Sequence, residues 1–514
     1  MTLPDTESTR HVTVARLSID PNLRVGAVTR QLFGSFVEHM GRSVYGGVYD
    51  PEDPSATSEG FRADVIELAK EMGVGVVRYP GGNFVSGYLW EDGIGPKDKR
   101  PTRLDLAWRS IETNQFGLNE FMSWIDKVNA EPMMATNLGT RGVLEAAHLL
   151  EYCNYGGQSA LSDMRRQHGV EKPHEIKLWC LGNELDGPWQ IGHKTADEYG
   201  RLAQEAAKAM RLVDPDISLV VCGSSFEEMP TFGTWERTVL RHAFDEVDLI
   251  SLHVYYEKYG DDSASFLASS ARMDRFIKGV IAAADEVAAE KQSTKQINLS
   301  FDEWNVWYQK RFEGVDSLDW EYARRLIEDE FTVEDAVVVG SMLMTLLNNT
   351  DRIDVACQAQ LVNVIGPIRT EPGHPAWRQT IFYPFALTAR HAKGDVLLPK
   401  LDCDRVSTKL MGDVPVVDAM CSYDEDSGVL VMFLLNRSTE SAVTVESNLS
   451  AFGDLNPLEC VRMGGVGLER TNTLEHPFAA TPELFTVDEF YAGTLRVSLP
   501  PVSWNMIRLV KSES

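Results

Sequence analysis

Leu178-Trp179-Cys180-Leu181-Gly182-Asn183-Glu184-Leu185-Asp186-Gly187 is an apolar run cut off by Gly, Asn and Glu, shortly before a helix-favouring segment that starts near Thr195. Read as a buried strand, it presents an amide and a carboxyl where the strand stops and the chain moves toward a helix. A second run of this kind, Ile297-Asn298-Leu299-Ser300-Phe301-Asp302-Glu303-Trp304-Asn305-Val306-Trp307-Tyr308, ends in the carboxylate of Glu303 among aromatic rings. Working outward, short apolar strands are predicted near residues 32–38, 74–79, 132–138, 176–182, 217–223, 247–255, 297–303 and 354–362. Helical segments are predicted over 62–72, 117–129, 143–153, 195–213, 235–244, 272–291 and 332–348. Eight strands alternating with helices predict an α/β fold, a (β/α)8 TIM barrel. A doubly wound open sheet shares the alternation, but it would carry a glycine-rich GxGxxG turn after its first strand, and the sequence has none.

From about Gly394 the pattern changes to short strand candidates at 396–398, 414–420, 429–435, 442–445, 495–499 and 504–510, separated by Gly, Asn, Asp and Pro. This is a β-sandwich pattern. His11–Leu17 alternates in strand fashion with no local partner and is expected to complete that sandwich. The expected division is an N-terminal strand over 1–20, a catalytic barrel over 21–393 and a C-terminal sandwich over 394–514.

The 514 residues are too many for one ordinary core, and a hydrophobic content of 43% fills two. A net charge of −27 leaves no basic surface for phosphates, so nucleic acid and anionic membrane are poor partners and a neutral ligand fits better. Ordinary solubility accounts for the acidity itself. Residues 1–10 are polar with no apolar leader, so the protein is expected to be cytoplasmic. The longest apolar stretch, Ala336–Leu347, is interrupted by Ser341 and Thr345 and reads as a buried helix, not a membrane span. Seven scattered cysteines without CxxC spacing read as reduced thiols.

In a barrel the C-terminal strand ends share one face, so Glu184 and Glu303 can meet. Two facing carboxyls are what glycoside hydrolysis requires, one to protonate the leaving oxygen and one to attack or to activate water. Alone, each Glu reads as well as a salt-bridge partner or helix cap. The neighbours shift the balance. Arg78-Tyr79-Pro80-Gly81-Gly82-Asn83-Phe84 ends the second strand with a cation, close-approach glycines and an amide; Glu38-His39 ends the first; His253, Tyr255 and Tyr256 end the sixth. Trp90, Trp189, Trp304, Trp307 and Tyr308 are candidates for a sugar platform, because indole faces pack against sugar C–H faces. No HExxH, HxH or CxxC supplies metal ligands, and neither a GxSxG elbow nor a Walker loop is present, so no metal and no cofactor is expected.

Phe33-Gly34-Ser35-Phe36-Val37-Glu38-His39-Met40-Gly41-Arg42, residues 78–83, Gly182–Trp189 and Asp302–Tyr308 together resemble the α-L-arabinofuranosidases of glycoside hydrolase family 51, in family order and over nearly the whole chain. Many relatives have Met where Leu185 stands. The resemblance implies a clan A barrel with a jelly-roll-like sandwich, removing non-reducing terminal α-L-arabinofuranosyl groups with retention. It implies Glu184 as general acid/base and Glu303 as nucleophile, roles the residues alone leave unassigned. It implies Asn183 on the hydroxyl beside the anomeric carbon, with Glu38, Asn83, Tyr255 and Gln360 lining the sugar pocket and Trp189 bordering the leaving group. Arg78 and Tyr255 would keep Glu303 ionised, His253 and Trp307 would support the site, and the charge of Glu303 would help Glu184 hold its proton. The implied substrate is an arabinose-containing oligosaccharide or polysaccharide (arabinan or arabinoxylan), and the implied assembly a homo-oligomer, frequently a hexamer in the family. A β-xylosidase or endo-β-glucanase of the same family, or a carbohydrate-binding protein without catalysis, are the alternatives. Loops 85–116, 226–235 and 256–270 are expected to decide linkage preference.

Overall fold

The computed structural model describes residues 13–512. The polar residues 1–10 and the first two residues of the leader, His11 and Val12, lie outside the described residues.

Eight parallel strands close into a barrel in sequence order: β1 (Gly34–Phe36), β2 (Val76–Tyr79), β3 (Glu131–Ala135), β4 (Leu178–Leu181), β5 (Ser218–Val221), β6 (Leu249–Tyr256), β7 (Asn298–Val306) and β8 (Ile353–Gln358). Pairing of Cys357 with Gly34 seals β8 to β1. These strands read as near-continuous apolar runs because both faces are buried. Val76, Met133, Ala135, Leu178, Cys180, Val220, Leu249, Val355 and Cys357 form one cluster that fills the barrel. Their chain neighbours Val77, Met134, Trp179, Leu181, Leu219 and Ile250 belong instead to the cluster shared with the helices. The period-2 alternation is present; it separates two apolar environments, not apolar from wet.

Seven of the surrounding helices fall where the sequence predicts them. Ala196–Val213 shows the local logic: Thr195 accepts from the Glu198 amide while Glu198 reaches back to the Thr195 amide, a reciprocal cap that starts the helix. The helix after β8, Phe382–His391, has no counterpart in the prediction; Pro384 in its first turn hides it.

The sandwich has two sheets. The smaller runs Lys400–Asp402, Thr13–Ser18, Val443–Asn448, Thr494–Leu499 and Glu489–Tyr491; the larger runs Arg24–Ala27, Asp395–Leu397, Val417–Asp424, Val429–Asn436, Ser503–Lys511, Leu455–Gly464 and Glu483–Leu484. The N-terminal strand does complete the sandwich, parallel to Val443–Asn448. Arg24–Ala27, which falls in the expected barrel segment from residue 21, pairs with Asp395–Leu397 in the larger sheet. The chain therefore leaves the sandwich after Ala27, a few residues later than expected, because a four-residue strand carries no periodicity of its own. Leu455–Gly464 is also a strand the pattern misses, its start being Asn456-Pro457-Leu458-Glu459.

What locks the sandwich to the barrel is the helix Val333–Leu347, every residue of which is buried. On Val429–Asn436, Leu430, Met432 and Leu434 face the core between the two sheets, while Val431, Phe433 and Leu435 join the core that contains this helix. A helix apolar all round is one buried all round. Among the described residues no helix is long and apolar enough to cross a membrane. Gly340 lies against the indole of Trp504, where an added Cβ would stand 2.5 Å from Trp504 Cδ1. Gly340→Ala should therefore lower stability by about 1–3 kcal/mol despite its better helix propensity; a melting temperature at or above wild type would contradict this close packing.

Candidate active site

Arg78, at the end of β2, is buried inside the barrel mouth. Its Nη1 donates to Glu303 Oε1 at 2.6 Å and its Nη2 to Asn183 Oδ1 at 2.7 Å, while its Nε lies 3.6 Å from Asp302 Oδ2. One guanidinium thus joins strand ends from β4 and β7. Asn183 and Glu184 follow β4 directly, and Glu184 sits at φ +45, a left-handed conformation that costs on the order of 1–3 kcal/mol in a non-glycine residue and is found where a side chain must be aimed. The buried Nδ2 of Asn183 has no hydrogen-bond partner within the protein.

Glu184 Oε1 lies 2.9 Å from His253 Nδ1, and Glu184 Oε2 accepts from Trp189 Nε1 at 2.8 Å. His253 Nε2 is 2.9 Å from Asp302 Oδ1, and His253 Nδ1 is 3.7 Å from Glu303 Oε1. Tyr255 donates its hydroxyl to Glu303 Oε2 at 2.8 Å and meets Trp307 edge-on at 5.2 Å. His253 and Tyr255, two residues apart on β6, share this face by the ordinary alternation of a strand. One oxygen each of Glu184 and Glu303, with a ring nitrogen of His253, all lie within 4.8 Å of one another.

Glu38 forms the far wall. Its Oε1 accepts from the Phe84 amide at 3.0 Å and from Trp108 Nε1 at 2.9 Å, and its Oε2 accepts from Gln360 Nε2 at 3.1 Å. Gly82 must be glycine here, since a Cβ would stand 2.6 Å from Glu38 Oε2. Glu38, Asn83, Glu184, Trp189, Tyr255, Glu303, Trp307 and Gln360 all line one cavity of about 640 Å³. Arg78, Asn183 and His253 stand behind them.

Burial dominates the electrostatics. It pushes Glu38 up to about 8, against the donors Phe84 and Trp108. His253 is opposed by burial but raised to about 10 by Glu303, Asp302 and Glu184. Asp302 also suffers burial, which Arg78 and His253 outweigh, holding it below the usual carboxylate range. Burial raises Glu303, with the cations His253 and Arg78 opposing it and Glu184 adding to it. Arg78 and the Tyr255 hydroxyl both act to lower Glu303, the direction expected of them, while burial acts the other way. Glu184, Glu303 and His253 have a spacing a divalent cation could accept, but both ring nitrogens of His253 are held by carboxylates, and an imidazolium has no lone pair to offer.

Several sequence candidates sit elsewhere. Trp304 is wholly buried, Trp90 packs on Tyr152 in the core, and Tyr308 is tied to Asp335, so of the aromatic platform candidates Trp189 and Trp307 reach the cavity. His39 bonds Glu112 and Tyr79 behind the cavity wall. β7 does not end at Glu303 but runs on to Val306, its pairing with β8 irregular between Phe301 and Trp304. Trp108, Met40, Phe226 and the partnership of Asp302 with His253 were not anticipated; Trp108 comes from a loop hairpin, where no periodicity points to it.

Two acidic side chains facing each other at the C-terminal mouth of a (β/α)8 barrel, inside a pocket of amides and aromatic rings, define a glycoside hydrolase. Residues 68–274 match the model of the alpha-L-arabinofuranosidase 1 domain and residues 302–503 that of the alpha-L-arabinofuranosidase C-terminal domain. The chain is 52% identical over 497 residues to an intracellular exo-alpha-(1->5)-L-arabinofuranosidase of Streptomyces lividans, covering 96% of this chain and 75% of that protein. It is 49% identical to the protein of the same description from Acetivibrio thermocellus, covering 97% and 99%. It also superposes on a family 51 alpha-L-arabinofuranosidase of Bifidobacterium longum with a TM-score of 0.92 at 44% identity, covering 96% and 99% of the two chains. The chain belongs to the α-L-arabinofuranosidases of glycoside hydrolase family 51.

The raised His253 sets a pH window for stability. A group whose folded pKa of about 10 exceeds its ordinary 6.5 contributes in full below 6.5, and that contribution is lost as pH rises to 10. The melting temperature should fall between pH 7 and 10 more steeply in wild type than in His253→Gln; parallel curves would show that His253 is not charged in the folded protein.

Proposed function

We propose that the protein is a retaining, exo-acting α-L-arabinofuranosidase that releases non-reducing terminal α-L-arabinofuranosyl residues from arabino-oligosaccharides, arabinan or arabinoxylan. The observation that carries this is the approach of Glu184 and Glu303 oxygens to within 4.8 Å. Carboxyls roughly 5–5.5 Å apart suit direct attack on the anomeric carbon, whereas inversion needs roughly 6.5–9.5 Å to admit a water. Glu38, backed by Gln360 and Trp108, closes the pocket behind the site, which favours a terminal sugar over the interior of a chain.

In this reading Glu303 attacks the anomeric carbon while Glu184 gives its proton to the departing glycosidic oxygen, forming a glycosyl ester on Glu303. Glu184, now a carboxylate, takes a proton from water, which attacks the same carbon and frees Glu303. Glu184, Glu303 and Asp302 face Arg78 and His253, so the cluster becomes neutral on binding one proton, and the mechanism assigns that proton to Glu184. Asn183 Nδ2 would donate to the sugar hydroxyl next to the reacting carbon; Glu38, Asn83, Tyr255 and Gln360 would hold the other hydroxyls. Trp189 would support the leaving group, with Trp307 fixing the Tyr255 ring. No step calls for a metal or cofactor. The relatives' description as intracellular supports a cytoplasmic location. A homo-oligomer rests on the family resemblance alone, and light scattering at the monomer mass of 57.4 kDa would remove it.

Glu303→Ala should lower turnover of 4-nitrophenyl α-L-arabinofuranoside by at least about 10³-fold. Glu184→Ala should stall at deglycosylation and recover with azide, and the β-D-xyloside and β-D-glucoside should be poor substrates of wild type. Near-normal turnover by Glu303→Ala, or azide rescue in that variant alone, would reverse or remove the assignments.

A further inference from the structure

Behind the wall of the sugar pocket lies a buried polar cluster that Glu184 and Glu303 do not touch. Glu112 closes the second strand of the loop hairpin formed by Arg103–Asp105 and Ser110–Glu112, and it is only 4% exposed. Its Oε2 lies 2.8 Å from His39 Nδ1, and because a carboxylate only accepts, the imidazole donates here. Its Oε1 accepts from the Asn114 amide at 2.6 Å and from the Tyr45 hydroxyl. His39 Nε2 in turn is 2.8 Å from the Tyr79 hydroxyl. Neither Glu112 nor His39 lines the cavity. A buried network with its partners in place fixes one arrangement of the groups it joins.

Two arms run from this cluster to a single oxygen of Glu38. The first is the hairpin. Its turn carries Trp108, whose Nε1 donates to Glu38 Oε1 at 2.9 Å. Asp105 accepts from the amides of Ala107 and Trp108 and from the Ser110 hydroxyl, so the turn is braced within itself and moves as a unit. Glu112 sets where that unit stands. Just beyond it Asn114, wholly buried, takes a left-handed conformation at φ +56 with its amide on Glu112. The second arm is His39. Its ring stacks on Phe84 with centroids 4.7 Å apart at 19°, and the Phe84 amide is the other donor to Glu38 Oε1, at 3.0 Å. His39 also follows Glu38 directly in the chain, so both donors and the backbone beside Glu38 are tied to the Glu112–His39 pair.

We propose that Glu112 and His39 are positioning residues for the terminal sugar: through Trp108 and Phe84 they hold the Glu38 carboxyl in one orientation at the cavity it lines. This rests on the arabinofuranosidase reading above, which gives Glu38 a sugar hydroxyl. The test measures KM and kcat on 4-nitrophenyl α-L-arabinofuranoside, and competitive inhibition by L-arabinose, for wild type, Glu112→Ala and Glu112→Gln. Glu112→Ala should raise KM about tenfold and weaken inhibition by about the same factor, with kcat within about threefold of wild type, because Glu38 holds the substrate away from the reacting carbon. Glu112→Gln can rebuild the network. Its amide oxygen still accepts from Tyr45 and Asn114, and its NH2 donates to His39 Nδ1 once the ring hydrogen moves to Nε2, where the Tyr79 hydroxyl accepts it. This variant should therefore recover most of both losses. If Glu112→Ala does not fold, His39→Leu, which keeps an apolar body against Phe84 and drops both hydrogen bonds, decides by the same readouts. A loss confined to kcat, unchanged kinetics, or a Glu112→Gln as impaired as Glu112→Ala would overturn the positioning role while leaving the arabinofuranosidase reading intact. Failure of the wild type to turn over the glycoside would instead refute that reading.

Discussion

The site depends on one buried cation. Arg78 sits where transfer of a charge from water costs several kcal/mol, and it is tolerated because carboxylates and an amide from two other strands surround it. The bargain runs in both directions: the same guanidinium makes it tolerable to bury Glu303 and Asp302 side by side on β7. His253 is the second cation in the cluster, held between Asp302 and Glu184. Because each charge is stabilised by the others, the cluster behaves as a unit, and its proton belongs to the group as a whole before it belongs to any one carboxyl.

The barrel and the sandwich give this cluster rigidity. Strand ends aim Arg78, Glu184, His253 and Glu303 from four places in the sequence, and each strand is held on one face by the barrel filling and on the other by the helices. The helix between β7 and β8 is clamped in turn by the larger sandwich sheet, so the strand that carries Glu303 is followed by the most buried helix of the described chain. The N-terminal strand sits inside the smaller sheet, between Lys400–Asp402 and Val443–Asn448, which ties the beginning of the described chain to the C-terminal sandwich.

Much of this was legible in the sequence because it is written in periodicity. Buried parallel strands of three to nine residues stand out as apolar runs, and the residues that interrupt such runs at or just past their ends, Glu38, Arg78, Glu184 and Glu303, are those that line or support the cavity. Roles within the pair of carboxyls came from family resemblance, since nothing in a strand-end Glu tells acid from nucleophile. Trp304 does not reach the cavity because an aromatic residue near a strand end has two faces to choose from, and sequence does not say which is wet; Trp90 lies in a loop turn well past β2, where no periodicity orients it. Trp108 and Arg272 escaped for the opposite reason: one comes from a loop hairpin and the other from the side of a long helix, and only folding brings them to the mouth. The raised Glu303 was missed because attraction to Arg78 is visible in a motif, whereas desolvation depends on everything around it.

The account stands on two carboxyls close enough for direct attack. Its most direct test is proton NMR of the arabinose first released from 4-nitrophenyl α-L-arabinofuranoside, recorded before the anomers equilibrate. The α-anomer appearing first is the result a nucleophile at Glu303 and an acid/base at Glu184 require. The β-anomer appearing first would mean a water attacks from the opposite face, and the double-displacement mechanism built on this pair would fall.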